Sequence, residues 1–316
     1  MMYKNTVKLV LSNFHLVWKI LAYMILTTLV IIGLAYACSL PILEVLTEQG
    51  FSKQFVDLFV DFSRSFNIYE FMANGVSLID LFIQIIVANI ANLWLYIVLF
   101  LVIIILIRAF FAGFYAFSAT NVLYYYMGSN IRYGFTHSLF ALFKTNIKYQ
   151  LCSLLIVFPI NCAFMVALYF LLRWFVISEG LLILAPIAVF FIAILLFSLK
   201  ITFFSGWIPA IVVFECGVWK GLKKGIKAVL RRFYRSFSTS VFVILSIIIL
   251  NVMCAVCTFG ASVLITIPLS SLIVLVYNMV MFYLSQGMRF YVDNEQVVTP
   301  KRLEETDGLG GLKYII

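Results

Sequence analysis

Charge is the first thing this sequence lacks. Only 11% of its 316 residues are charged, against roughly 25% in an average soluble domain. Hydrophobic residues make up 65% and the mean hydropathy is +1.12. Water could not solvate the surface such a chain would expose, so a soluble fold is excluded and lipid must be the solvent. Acidic side chains number 13 and histidines two. His15 and His137 belong to no H-E-x-x-H pair, and no G-x-S-x-G, Walker sequence or intramembrane aspartate pair is present. Without a nucleophile or metal set that has partners, the sequence reads as non-enzymatic, with no cofactor and no metal. The six cysteines (Cys38, Cys152, Cys162, Cys216, Cys254, Cys257) fall mostly inside apolar runs and are not spaced as a disulfide framework. Cys254-Ala-Val-Cys257 is a C-x-x-C in the middle of such a run, where redox or zinc chemistry lacks the polar surroundings it needs.

What is present is a series of long, continuous apolar runs, for example 93–106 and 183–197. Strands of a membrane barrel alternate with period two and are shorter, so these runs predict helices. The expectation is an all-α, polytopic membrane helix bundle of about six transmembrane helices, at 20–42, 81–107, 150–172, 180–204, 238–260 and 264–287. The first run is too long for a signal-peptide core and reads as an uncleaved span. With the N-terminus inside, every one of the 22 Lys and Arg residues except Lys53, Arg64 and Arg173 falls on the cytoplasmic side. That asymmetry predicts a multi-pass plasma-membrane protein with both termini cytoplasmic. Glu44, Glu48, Asp57, Asp61, Glu70 and Asp80 share the one long external loop. In it Phe51, Phe55, Leu58, Phe59, Phe62 and Phe66 recur at helical spacing, predicting an amphipathic helix on the outer membrane surface or capping the bundle.

The segment 131–158 can be laid on 218–245 with a constant offset of 87: Gly134 meets Gly221, Ala141 meets Ala228, Lys144 meets Arg231 and Lys148 meets Arg235. Lys8-Leu9-Val10-Leu11 with Phe14 echoes Lys227-Ala228-Val229-Leu230 with Phe233. The repeat predicts amphipathic interfacial helices preceding spans, in three units of one membrane domain. They run 1–117 (span one, the long loop, span two), 118–204 (spans three and four) and 205–292 (spans five and six). A cytoplasmic tail, 293–316, follows.

Two candidate sites emerge. The stretch 217–236 carries Lys220, Lys223, Lys224, Lys227, Arg231, Arg232 and Arg235, with no acid between Glu215 and Asp293. Val218, Leu222, Ile226, Val229 and Phe233 would form one face of a helix, and Lys223, Lys227, Arg231 and Arg235 another. Such a helix suits the anionic inner leaflet or an acidic partner, although loop cations can also serve topology alone. Nucleic acid is not an expected partner, since no soluble domain presents a groove. The second candidate comprises the asparagines within spans: Asn89, Asn92, Asn161, Asn251 and Asn278. They could line a polar path for a transported or lipid substrate, or hydrogen-bond neighbouring helices as packing contacts. Pro159, Pro186 and Pro268 kink three spans or mark their ends. Arg108 and Lys200 lie at span ends, where long side chains snorkel to the interface.

Ser118-Ala119-Thr120-Asn121-Val122-Leu123-Tyr124-Tyr125-Tyr126-Met127, followed by Phe140-Ala141-Leu142-Phe143-Lys144-Thr145-Asn146-Ile147-Lys148, resembles the YesL-like (DUF624) family of bacterial membrane proteins. The matching positions are Ala119, Thr120, Leu123, Tyr124, Tyr125, Phe140, Phe143, Lys144, Asn146 and Lys148. The run from Ile208-Pro209-Ala210 to Arg232-Phe233 looks like that family's second cytoplasmic helix. The chain departs from the pattern in its long external loop and in lacking the Pro that usually precedes the A-T. A looser likeness reaches the membrane domain that accompanies some glycerophosphodiester phosphodiesterases. The resemblance implies a bacterial plasma-membrane protein that accompanies another membrane protein such as an ABC transporter. The expectation is therefore an accessory or assembly subunit of a transport or envelope system, the alternative being a transporter or lipid-handling protein.

Overall fold

The computed structural model describes residues 2–107, 113–177, 185–293 and 296–299; Arg108 lies outside them. The described chain is all-α apart from one small hairpin. The helices are α1 (Met2–Ser12), α2 (His15–Glu48), α3 (Phe51–Ser65), α4 (Ile68–Ala88), α5 (Ile90–Ile107), α6 (Phe114–Ser129) and α7 (Phe135–Ala141). They continue as α8 (Phe143–Ile177), α9 (Ala185–Phe204), α10 (Trp207–Phe214), α11 (Val218–Leu230), α12 (Phe233–Cys257) and α13 (Val263–Gln286). Strands β1 (Phe290–Tyr291) and β2 (Val297–Val298) pair antiparallel. Six helical stretches are long and apolar enough to cross a membrane: His15–Glu48, Ile68–Ala88, Phe143–Phe175, Ala185–Phe214, Phe233–Cys257 and Val263–Gln286. The chain is a multi-pass membrane protein.

The second stretch differs from its predicted bounds of 81–107. The helix begins at Ile68 and is interrupted at Asn89, whose backbone (φ −103°, ψ 12°) leaves the helical region. The Ile85 carbonyl accepts both the Asn89 backbone N–H, at 3.1 Å, and its side-chain Nδ2, at 2.9 Å, so the side chain folds back on the last turn of α4. Residues 68–107 would span about 60 Å as a continuous helix, about twice the hydrocarbon thickness of a bilayer. Hydropathy averaged over a window registers neither the break nor the excess length.

A short helix, a break of one or two residues and then a long apolar helix recur three times: α1–α2 across Asn13 and Phe14, α7–α8 across Leu142, and α11–α12 across Arg231 and Arg232. The 87-residue offset would place Leu142 on Val229, so the breaks differ slightly from that register. Gly134 and Gly217 are the two glycines that play equivalent parts, each an extended N-cap, of α7 and of α11. Gly221 instead lies within α11, against Ile211.

The described chain divides into two compact units. Unit 1 comprises 1–27, 109–153 and 194–316. Its core is the second half of α13, where Tyr277, Met279, Val280, Met281 and Phe282 are wholly buried. The first half of α13 is different, with Leu264 and Ile267 exposed. Around the buried half pack α1, α6, α10, α11 and α12. Ser118 Oγ donates to the Phe135 carbonyl, and Asn121 Nδ2 donates to Ser138 Oγ at 2.9 Å, tying α6 to α7 inside this core. The β-hairpin crosses the expected 292/293 boundary. Phe290 and Val292 are fully buried and Val298 nearly so. Ser12 Oγ donates to the Val292 carbonyl at 3.3 Å. Lys8 Nζ donates to Gln296 Oε1 at 2.6 Å and lies 3.9 Å from the Asp293 carboxylate.

Unit 2 comprises 28–108 and 154–193. The predicted phenylalanine helix is α3, which packs on α4 through ring contacts of Phe51 with Phe82 and of Phe59 and Phe62 with Phe71. None of its residues is buried. Asp80 of α4 accepts a hydrogen bond from Tyr169 Oη and lies 3.8 Å from Arg173 Nη1, both on α8.

Candidate functional site

The most strongly charged surface of the described chain is built on a hairpin of two helices, α10 and α11. Trp207 at the start of α10 is buried, and its Nε1 donates to the Val218 carbonyl at 3.0 Å, closing the hairpin. Glu215 ends α10 in the left-handed region (φ 48°). Gly206 and Gly225 then bring the two backbones into direct contact: a Cβ built on Gly225 would lie 2.6 Å from the Gly206 carbonyl carbon. Val218, Gly221, Leu222, Gly225, Ala228 and Val229 form the buried face of α11. Small residues therefore do most of the packing that the sequence assigned to Ile226 and Phe233, which are only half-buried.

Because that face is committed, the cations must point away from it. Lys220, Lys223, Lys224, Lys227, Arg231, Arg232 and Arg235 are all exposed. Among the described residues no carboxylate pairs with any of the seven, in contrast to Lys8 with Asp293 and Arg173 with Asp80. Lys224 Nζ sits 4.2 Å from the centroid of Phe214, a cation–π contact that holds it at the hairpin's turn. The expected stripe of Lys223, Lys227, Arg231 and Arg235 is not one helical face. It bends, since α11 ends at Leu230 and Arg235 belongs to the first turn of α12.

The asparagines divide between the units. In unit 2, Asn89 bonds its own helix at the α4–α5 break, Asn92 is exposed and Asn161 is half-buried. In unit 1, Asn251 donates to Ser270 Oγ at 2.8 Å and to the Ile247 carbonyl at 2.8 Å, joining α12 to α13. Asn278 is half-buried on α13, with its Oδ1 buried and unpartnered. Asn89 and Asn251 thus act in helix shape and helix contact.

A polar feature that the sequence reading passed over lies between α9, α12 and α13. Thr202 Oγ1 donates to Ser240 Oγ at 2.8 Å; Ser240 Oγ lies 2.7 Å from Tyr277 Oη; Tyr277 Oη donates to the Ser236 carbonyl at 2.7 Å. Each hydroxyl has one proton to give, so with Tyr277 committed to the Ser236 carbonyl it is Ser240 that donates to Tyr277, while Thr202 shares its proton between Ser240 and the Ser198 carbonyl, 2.7 Å away. All four residues are completely buried. The spacing of Ser198 with Thr202, and of Ser236 with Ser240, four apart inside apolar runs, was the available signal. Removing the central hydroxyl by Tyr277→Phe takes the donor from the Ser236 carbonyl and the acceptor at 2.7 Å from Ser240. The expected loss is about 1 kcal/mol, with about 2 as an upper bound for hydrogen bonds between membrane helices. Chemical denaturation in detergent, compared with Thr202→Ser, which keeps the donor, measures it.

Among the described residues no three His, Cys, Asp or Glu side chains lie together as a metal-holding group. No family model, curated protein or solved structure matches the chain.

Proposed function

We propose that this chain is a non-catalytic, multi-pass protein of the plasma membrane with both ends in the cytoplasm. It serves as an accessory or assembly subunit of a transport or envelope system, docking through its basic cytoplasmic helices. The observation that carries this reading is the seven-cation surface of α11 and the start of α12. The opposite face of α11 is buried against α10 through glycine contacts, so the cations are held outward on a rigid element. Burying apolar surface would need no such charge. The lysine-poor opposite ends of the spans support the orientation. The resemblance of 118–150 to YesL-like proteins supports a bacterial membrane and a partner such as an ABC transporter.

The test is affinity purification of the tagged full chain from membranes in mild detergent. A stoichiometric membrane-protein partner is expected, and replacing Lys223, Lys227, Arg231 and Arg235 by Glu is expected to remove it. Recovery of the chain alone in repeated preparations would defeat the reading.

A further inference from the structure

The exposed part of α11 is not uniformly cationic. Trp219 and Leu230 are each 56% exposed and Ile226 is half-buried. Their spacing of seven and four puts them along one edge of the helix. Lys220, Lys223, Lys224, Lys227 and Arg231 occupy the adjoining sector. The helix therefore has three sectors: a Gly/Ala/Val face buried in the protein, an uncovered apolar edge, and a band of cations beside that edge. An acidic peptide in water would require the cations and leave the apolar edge without a role. A bilayer surface accounts for both, with the edge dipping below the headgroups and the cations lying among them.

The helix that follows α11 carries a surface that lipid must cover. Tyr234 (91% exposed), Phe242, Ile249 and Val256 recur along α12 at intervals of seven or eight, forming an uncovered stripe on a membrane-crossing helix. Tyr234 and Trp219 are residue types that settle at the headgroup level.

We infer that the α11 surface is a docking site for anionic phospholipid of the inner leaflet: Trp219, Ile226 and Leu230 insert beside the acyl chains, and Lys220, Lys223, Lys224, Lys227 and Arg231 hold the phosphate groups. This rests on the reading of α11 as the cytoplasmic docking element and names what it docks on. A partner protein is then met in the plane of the membrane, across a layer of bound anionic lipid.

The experiment uses the full chain in nanodiscs of phosphatidylcholine with or without phosphatidylglycerol, followed by native mass spectrometry of the lipids retained on extraction. The wild type is expected to retain phosphatidylglycerol in preference to phosphatidylcholine. Replacing Lys220, Lys223, Lys224 and Lys227 by Gln should weaken that retention at least about a hundredfold, taking about fivefold per lysine. The four Lys→Arg replacements should preserve it. Brominated phosphatidylglycerol should quench the wild type more than Trp219→Phe, isolating one of the five tryptophans. Unchanged retention in the Gln variant, or equal quenching of wild type and Trp219→Phe, overturns the inference. If a stoichiometric partner is recovered and lost on charge reversal while lipid retention is unchanged, the lipid site fails and the accessory role stands. If lipid retention follows expectation and no partner is found, the accessory role alone fails.

Discussion

Truncation after Met288 is expected to unseat α1 and cost about 5 kcal/mol or more of stability, although it removes neither a membrane span nor a residue of the basic surface. Phe290, Val292 and Val298 are together the reason. Each is buried in unit 1, and burying a large apolar side chain is worth about 1.5–3 kcal/mol. Valine falls at the lower end, so the sum reaches several kcal/mol before any hydrogen bond is considered. The polar contacts to α1 add less. Lys8 and Asp293 are each 38% exposed in a 3.9 Å pair, and such surface pairs are worth at most about 1 kcal/mol. Two variants separate these contributions. Lys8→Ala should lower the unfolding free energy measured by denaturation in detergent only slightly, whereas Phe290→Ala should lower it by about 3 kcal/mol or more. If Lys8→Ala proved as damaging as Phe290→Ala, the hairpin would be held by charge rather than by burial. The consequence for function is indirect: α1 packs on α13, and the buried half of α13 is also what α11 leans on.

Membrane helices and the cation count were legible in the sequence because both are properties of composition over long windows. Continuous apolar runs cannot be satisfied in any other way, and a charge stays exposed unless something pairs with it. The interruptions were not legible, for a physical reason. At Asn13 and Asn89 the backbone bond to the Leu9 and Ile85 carbonyls is kept and the side-chain amide adds a second donor to the same oxygen, closing the helix end on itself. The helix is interrupted there without any loss of hydropathy. At Arg231 and Arg232 the break converts a four-residue repeat of cations into a bent surface, which no periodicity count could anticipate. Weighing asparagines as the polar residues of interest also directed attention away from Thr202, Ser240 and Tyr277, whose hydroxyls form the buried chain. Phe290-Tyr291-Val292 and Val297-Val298 are runs of strand-forming residue types, too short to stand out beside six spans.

Gly225→Ala is expected to disturb the basic surface more than any single change to the charges themselves. The added Cβ would stand 2.6 Å from the Gly206 carbonyl carbon, 2.7 Å from its oxygen and 2.9 Å from Trp207 N. Carbon atoms in contact prefer about 3.5–4.0 Å, so the helices must part by about 1 Å. Every opposing atom is backbone, so no rotamer change can make the room. Overpacking of this kind costs about 1–3 kcal/mol or more, and here the displacement falls on the contact that fixes α11. Gly221→Ala makes the informative comparison. Its Cβ would meet Ile211 Cγ1 at 2.4 Å, a nominally closer clash, yet that atom belongs to a side chain that can turn. Gly225→Ala should therefore be the more destabilising of the two, and it should weaken retention of phosphatidylglycerol although all seven cations remain. Equal stability and equal lipid retention in the two variants would mean that α11 carries its charges without the α10 backbone beneath it, and the outward display of those charges would need another cause.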